Sequence, residues 1–184
     1  MNIKQFVSHT LISLMMVAFS RVLISGLDSA DFVIGNYLWL PIGAAILSYL
    51  LFGFKTFFGV FIGFALATII LKGSFDAVSI FSWLGRLSSS LAPIVAIMMM
   101  RFFHLSDFFD SGKVNFAHIV FLVILSSLVS TLAKFFIYPI NEATISNPVV
   151  FIQSYLLGDV IGGIVFIYIA VKVFVPLMVK NKLI

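Results

Sequence analysis

Long apolar runs separated by short polar segments account for nearly the whole chain. The runs cover about residues 6–27, 37–54, 57–71, 78–100, 114–138 and 149–176. A helix needs about 20 apolar residues to cross a hydrocarbon core about 30 Å thick, and most of the runs approach or exceed that length. The pattern therefore predicts an all-α protein, a polytopic transmembrane bundle of about six helices.

Composition supports a membrane protein with a single domain. The 184 residues are 62% hydrophobic and 10% charged, with a mean hydropathy of +1.21, whereas about a quarter of the residues of a soluble domain are charged. The first run is too long for the 7–15-residue apolar core of a signal peptide, so we expect a retained first span. The whole chain is then one integral membrane domain in contact with the lipid bilayer.

The polar segments carry their charges asymmetrically. Six spans place both termini on one side of the membrane. The segments on that side carry the basic residues Lys4, Lys55, Arg101, Lys113, Lys180 and Lys182. The segments on the other side carry Lys72 with Asp28, Asp31, Asp76 and Glu142. The positive-inside rule predicts that both termini are cytoplasmic, in a multi-pass protein of a bacterial inner membrane.

The sequence carries few of the side chains that catalysis requires. Cysteine is absent, which removes thiolate nucleophiles and thiolate metal ligands. His104, Asp107 and Asp110 share one loop, but their spacing does not force metal coordination, so we expect a solvated loop. We expect neither an enzyme nor a cofactor or metal. The net charge of +4 with basic residues at span ends also argues against nucleic acid as a partner.

Four charged residues interrupt the apolar runs. Arg21, Arg86, Lys134 and Asp159 lie inside the first, fourth, fifth and last runs. At 1.5 Å per residue, Arg86 lies roughly 12 Å and Asp159 roughly 15 Å below the outer ends of their helices. All four are therefore expected in the outer half or at the midplane of the membrane. Charges at that depth face the bundle interior and pair with one another.

The pairing of these charges leaves three hypotheses open. An arginine is expected to bind Asp159 in a bidentate manner. The remaining cations then form an electropositive pocket for a small anionic molecule or a lipid headgroup. The second hypothesis is a purely structural ion pair, with Lys134 extending to the outer interface. The third is a proton or ion pathway.

Several short motifs resemble the first class of bacterial membrane-associated sensor (MASE-type) domains. A W-x-P-x-G helix mouth is formed by Trp39, Pro41 and Gly43, followed by the glycine-containing segments 50–53 and 59–63. A late G-D-x-x-G element surrounds Asp159, with Gly158 and Gly162 at its ends. Members of that family usually precede a histidine kinase, a diguanylate cyclase or a related output module. No output module follows here, so the resemblance implies a domain standing alone, with signal transduction through a separate partner protein.

A second resemblance is to the substrate-binding membrane subunits of energy-coupling-factor small-molecule importers, which are similar in size. They have six helices and dock a transport subunit through small-residue helix faces. In this chain the small residues Gly43, Ala44 and Ala45, or Ala65 and Ala67, are the candidates for such a face. The favoured hypothesis is a sensor-type domain that binds an anionic ligand or lipid in an outer-half pocket and relays to, or scaffolds, a partner. The importer subunit is the alternative.

Overall fold

The computed structural model describes residues 2–26, 38–75, 79–106, 115–138 and 147–180, and every regular element in these ranges is helical. The elements are α1 (Ile3–Ser25), α2 (Leu40–Phe52), a 3-10 turn (Phe54–Thr56), α3 (Phe57–Lys72), α4 (Ile80–Phe102), α5 (Phe116–Ile137) and α6 (Pro148–Lys180). Five of the helices are long and apolar enough to cross a membrane. The predicted all-α, multi-pass membrane fold is therefore confirmed.

Side-chain caps fix where four of the helices begin. The side chains of Asn2, Ser79, Asn115 and Asn147 each accept a hydrogen bond from a backbone N–H in the first turn of α1, α4, α5 and α6. Such caps satisfy amide groups that have no partner within the helix. With Asn2 as its cap, α1 begins at Ile3, three residues before the predicted position. At its other end α6 continues through Pro176, its predicted last residue, to Lys180.

Helix α2 is shorter than predicted. The apolar run covers residues 37–54, but the helix contains only 13 residues, or about 20 Å at the usual rise. It begins after Trp39, whose N–H donates to the carbonyl oxygen of Gly158 in α6 at 2.9 Å. It ends at Gly53, where a φ of +78° gives a conformation that favours glycine.

Helices α1 and α2 run in opposite directions. Near the end of α1, the Arg21 guanidinium lies over the ring of Trp39, which precedes α2. Near its start, the ring of His9 stacks on Phe52, the last residue of α2, with centroids 4.5 Å apart. Helix α2 with its flanking residues therefore returns the chain to the level where α1 begins.

Helix α3 runs parallel to α1 and packs closely against it. A Cβ on Gly59 would collide with the backbone of Thr10, and one on Gly63 would lie 2.8 Å from the carbonyl oxygen of Leu14. Two glycines four residues apart thus let the two backbones approach within the bundle. The small-xxx-small pattern serves contacts inside this chain.

The remaining helices continue the alternation. Helix α4 is parallel to α2, since the Tyr49 hydroxyl donates to Ser90 and the Arg101 guanidinium lies over Phe54. Helix α5 is antiparallel to α4, since Tyr138 lies against Gly85 and His118 hydrogen-bonds to Ser106. Helix α6 is parallel to α2, because residues 39 and 43 contact residues 158 and 163 in the same order.

This alternation defines two ends of the bundle. Residues 2 and 180 lie at the same end, which we call the proximal end. The opposite, distal end is where α1, α3 and α5 finish and α2, α4 and α6 begin. A shared end for residues 2 and 180 is what an even number of alternating helices requires. The assignment of the proximal end to the cytoplasm remains a prediction from the charges.

The core is built around α2. Nine consecutive residues of this helix, 41–49, are buried, as expected for an apolar helix surrounded on all sides. The other helices pack around it in the order α1, α3, α4, α5 and α6.

Between α1 and α6 lies an apolar cavity of about 190 Å³, lined by Met15, Met16, Phe19 and Phe166. Large hydrophobic side chains are exposed on the outer faces of the helices, where the bilayer would cover them.

Candidate functional site

The centre of the site is an ion pair between α5 and α6. The Nζ atom of Lys134 lies 4.0 Å from Oδ2 of Asp159, and the two side chains are 2% and 3% exposed. Lys134 therefore does not extend to the interface. Two charges removed from water stabilise the fold only while each compensates the other.

Aromatic rings lie on the distal side of this pair. The Lys134 ammonium is 4.9 Å from the ring centroid of Tyr155, close enough for a cation–π contact. Tyr155 packs on Phe151 with centroids 4.4 Å apart, and Phe151 also contacts Tyr138. These rings separate the ion pair from the distal end of the bundle.

Arg86 forms its hydrogen bond with α3. Its Nε atom donates a 2.8 Å hydrogen bond to the Thr68 hydroxyl. Within the described residues, the ion pair of Asp159 is with Lys134. The predicted arginine partner for this carboxylate is therefore wrong. The reason is the direction in which each residue projects from its helix: Lys134 is on the face of α5 that meets α6, and Arg86 is on the face of α4 that meets α3.

Arg21 joins the network through Trp39. Its Cζ atom is 4.9 Å from the Trp39 ring centroid, and the Trp39 backbone is bonded to Gly158, next to Asp159. The positive charges of Arg21 and Lys134 lie close enough to Arg86 to repel its guanidinium. The structure thus brings the four predicted residues into one region in the distal half of the bundle.

The residues of the two sensor-like motifs also meet. Gly162 faces the backbone of Trp39 so closely that a Cβ there would collide with it, and a Cβ on Gly43 would lie 2.6 Å from the Gly163 carbonyl oxygen. Pro41 is buried in the first turn of α2, where its missing N–H leaves no donor unpaired. Close packing of α2 on α6 accounts for the small residues at these positions.

Sequence reasoning missed a stripe of hydroxyl groups on α5. Ser126, Ser127, Ser130 and Thr131 are fully buried and lead along one helix face to Lys134. Ser130 faces the Asp159 carboxylate, but without the alignment of a formed hydrogen bond. The sequence does contain this stripe, because Ser126 and Ser130 precede Lys134 at intervals of four residues, which places all three on one helix face.

The other predicted polar groups have different positions. The hydroxyl of Ser20 bonds to the Val17 carbonyl of its own helix, Gln153 is exposed, and Ser154 is buried. No group of three potential metal ligands occurs among the described residues. Asp107 and Asp110 lie outside them.

No protein-family model, curated protein or solved structure matches the chain. The resemblance to membrane-associated sensor domains therefore stays a prediction based on short motifs.

Proposed function

We propose that the protein is a sensor-type inner-membrane domain that binds an anionic group in the distal half of its bundle. The bound state is relayed to a separate partner protein, or the domain scaffolds that partner. The observation that supports the proposal is an imbalance of charge. In the described part of the site, two buried cations, Arg86 and Lys134, accompany one carboxylate, Asp159, which pairs with Lys134.

Arg86 is the side chain that an anion would satisfy. Lys134 is compensated by Asp159, whereas the hydrogen bond from Arg86 goes to a neutral hydroxyl. The hydroxyl groups of Tyr138 and Tyr155 and the cations Arg21 and Lys134 also interact electrostatically with Arg86. A planar guanidinium with five donors is well suited to a phosphate or carboxylate. The anion is either the phosphate of a lipid headgroup or a free small molecule.

Two elements would carry the bound state to the proximal end. Helix α6 is continuous from the level of Asp159 to Lys180, and α2 is bonded to it beside that residue. A shift of α6 at the site is therefore transmitted along a single helix to the proximal surface, where a partner would meet it.

The importer alternative lacks a docking surface of the expected kind. Gly43, Ala44, Ala45, Ala65 and Ala67 are all buried within the bundle. These residues pack helices of this chain together, so they do not offer a face to a transport subunit. We therefore do not favour this alternative.

The test compares Arg86→Gln with the unmodified protein in nanodiscs of phosphatidylcholine. Thermal stability is measured after part of the lipid is replaced by phosphatidylglycerol and, separately, after titration with inorganic phosphate. We expect an anion to stabilise the unmodified protein and Arg86→Gln to lose about 1.5–3 kcal/mol of that stabilisation, the usual value of a charged hydrogen bond. A response to lipid alone identifies a headgroup, and a response to phosphate identifies a free anion.

Arg101→Gln is the matched control. Arg101 is an exposed arginine at the proximal end, over the Phe54 ring, and its removal should leave the response unchanged. The distal segments contain Asp28, Asp31, Asp76 and Glu142, outside the described residues. If these carboxylates already neutralise the arginines, neither anion will stabilise the protein, and the proposal fails. Equal losses in Arg86→Gln and Arg101→Gln would also overturn it.

A further inference from the structure

The ring of outer helices around α2 is open between α1 and α6. In the described part of the chain, α1 packs along α3 and α6 packs along α5, whereas α1 and α6 make hardly any contact with each other. The positions of the glycines explain this arrangement. Gly59 and Gly63 let α1 approach α3, and Gly43 and Gly163 let α2 approach α6. Helix α1 is thus held toward α3 and α6 toward α2, which leaves a gap between α1 and α6.

This gap is the cavity of about 190 Å³, and its lining residues Met15, Met16, Phe19 and Phe166 are all large and apolar. Phe166 forms the floor, since it is 8% exposed and a Cβ on Gly43 of α2 would collide with it. Met15 and Phe19 form the rim on α1, where they are 64% and 54% exposed. Because α1 is long and apolar enough to span a membrane, the cavity opens sideways toward the hydrocarbon of the bilayer.

The depth of the cavity places it among the acyl chains of the distal leaflet. Phe19 and Met15 precede Ser25, the last residue of α1, by six and ten residues, which corresponds to about 9 and 15 Å along the helix. Half of a hydrocarbon core about 30 Å thick is about 15 Å. With the end of α1 at the boundary of the core, the cavity lies at the level of the second half of a distal-leaflet acyl chain.

The volume of the cavity decides among apolar occupants. A helix with its side chains is at least 10 Å across, so a single turn 5.4 Å long occupies more than about 400 Å³ and does not fit. An apolar cavity of about 150 Å³ holds a benzene molecule, and a chain of methylenes is narrower than that ring. The unbranched side chains of Met15 and Met16 can adapt to such a chain. A flexible hydrocarbon chain is therefore the occupant that fits.

We propose that the α1–α6 cavity is a lipid-binding site that holds one acyl chain of a phospholipid from the distal leaflet. Protein interiors leave few voids larger than a water molecule, and a chain seated here completes the packing between α1 and α6. The site is separate from the anion at Arg86, because the Arg86 side chain is bonded to Thr68 of α3. The bound chain contacts α6 at Phe166, about 10 Å along that helix from Asp159.

Photolabelling of the full chain in phosphatidylcholine nanodiscs tests the proposal. A small fraction of the lipid carries a diazirine near the end of one acyl chain, and labelled residues are identified by mass spectrometry after irradiation. We expect Phe166 to be labelled severalfold more than Ala65. Ala65 is the matched control, since it is also 8% exposed but lies in α3, away from the cavity. Equal labelling of Phe166 and Ala65 would overturn the proposal.

A variant with a filled cavity tests whether lipid is retained at this site. Met16→Trp places a bulkier side chain in the cavity. It should lower the labelling of Phe166 to the level of Ala65 and lose the lipid that the unmodified protein retains in native mass spectrometry. Leu128→Trp, at a residue 40% exposed on α5, should leave both results unchanged.

Two further outcomes would count against the site. Undiminished labelling of Phe166 in a folded Met16→Trp variant would show that the chain reaches Phe166 by another route. Disulfide formation between two chains carrying Met15→Cys, with Phe166 unlabelled in the unmodified protein, would show that a second copy covers the cavity instead of lipid. If Met16→Trp does not fold, the comparison of Phe166 with Ala65 in the unmodified protein decides.

Discussion

At the scale of single residues, the stability of the bundle depends strongly on Lys134 and Asp159. Each is about 2% exposed, and each charge loses its hydration on folding. The effective penalty is several kcal/mol per ion, and only the partner charge and nearby dipoles offset it. Loss of one member therefore costs more than loss of both.

Asp159→Asn should lower the free energy of unfolding by about 3–5 kcal/mol, because it leaves the Lys134 ammonium buried without a counter-charge. The double variant Asp159→Leu with Lys134→Met should recover most of this loss, since it buries no charge. Unfolding by denaturant in detergent micelles measures both. Gln153→Ala, an exposed position in the same helix, should change stability by less than about 0.5 kcal/mol. Similar effects of Asp159→Asn and Gln153→Ala would refute this account.

The sequence predicted the depth of these charges but not the partner of Asp159. Position along an apolar run converts directly into depth, so the convergence of Arg21, Arg86, Lys134 and Asp159 could be inferred. The pairing depends on how each helix is rotated about its axis, which hydrophobic runs do not specify when almost every face is apolar. Thr68, which binds Arg86, gave no sign of that role in the sequence.

At the scale of elements, glycine determines how closely α2 approaches α6. Gly162 lies directly against the backbone of Trp39, which is itself held by a backbone hydrogen bond to Gly158. A side chain at residue 162 must push two backbones apart, and neither is a flexible side-chain end that could move aside.

Gly162→Ala should therefore destabilise the protein by about 1–3 kcal/mol, the usual cost of overpacking a core. Gly26→Ala is the control, since a Cβ at that position meets nothing within 4 Å and its backbone φ of −70° suits alanine. Thermal unfolding of the two variants in the same detergent gives the comparison. Equal midpoints would show that the α2–α6 contact tolerates a methyl group.

Most helix boundaries follow from local sequence, whereas the start of α2 does not. Asn115 before an apolar run is a cap that can be recognised without a structure, and α5 begins directly after it. The run from 37 to 54 gives no comparable signal for a start at Leu40. That start depends on the bond between Trp39 and Gly158, a contact between distant parts of the chain.

At the scale of the whole molecule, the alternating helices place residues 2 and 180 at one end and residue 149 at the other. The charge pattern of the connecting segments predicts that the first end faces the cytoplasm. Because the chain has no cysteine, a single introduced cysteine reports on its own position without background.

Asn2→Cys and Lys180→Cys should react with a membrane-impermeant maleimide only after the inner membrane is permeabilised. Val149→Cys, which is exposed at the start of α6, should react in spheroplasts with an intact inner membrane. Labelling of residues 2 and 180 from opposite sides would contradict the alternating bundle. Labelling of both from outside would contradict only the orientation drawn from the charges.

The central position of α2 has a consequence for biogenesis. This helix leaves the ribosome second, yet at about 20 Å it is too short to span a 30 Å hydrocarbon core unaided. The residue that fixes its start, Gly158, belongs to α6, which is synthesised after the other described helices. During translation α2 therefore remains without its main packing surface until α6 enters the membrane. A chain truncated after α5 is therefore expected to be more sensitive to proteolysis around α2 than the chain that contains α6.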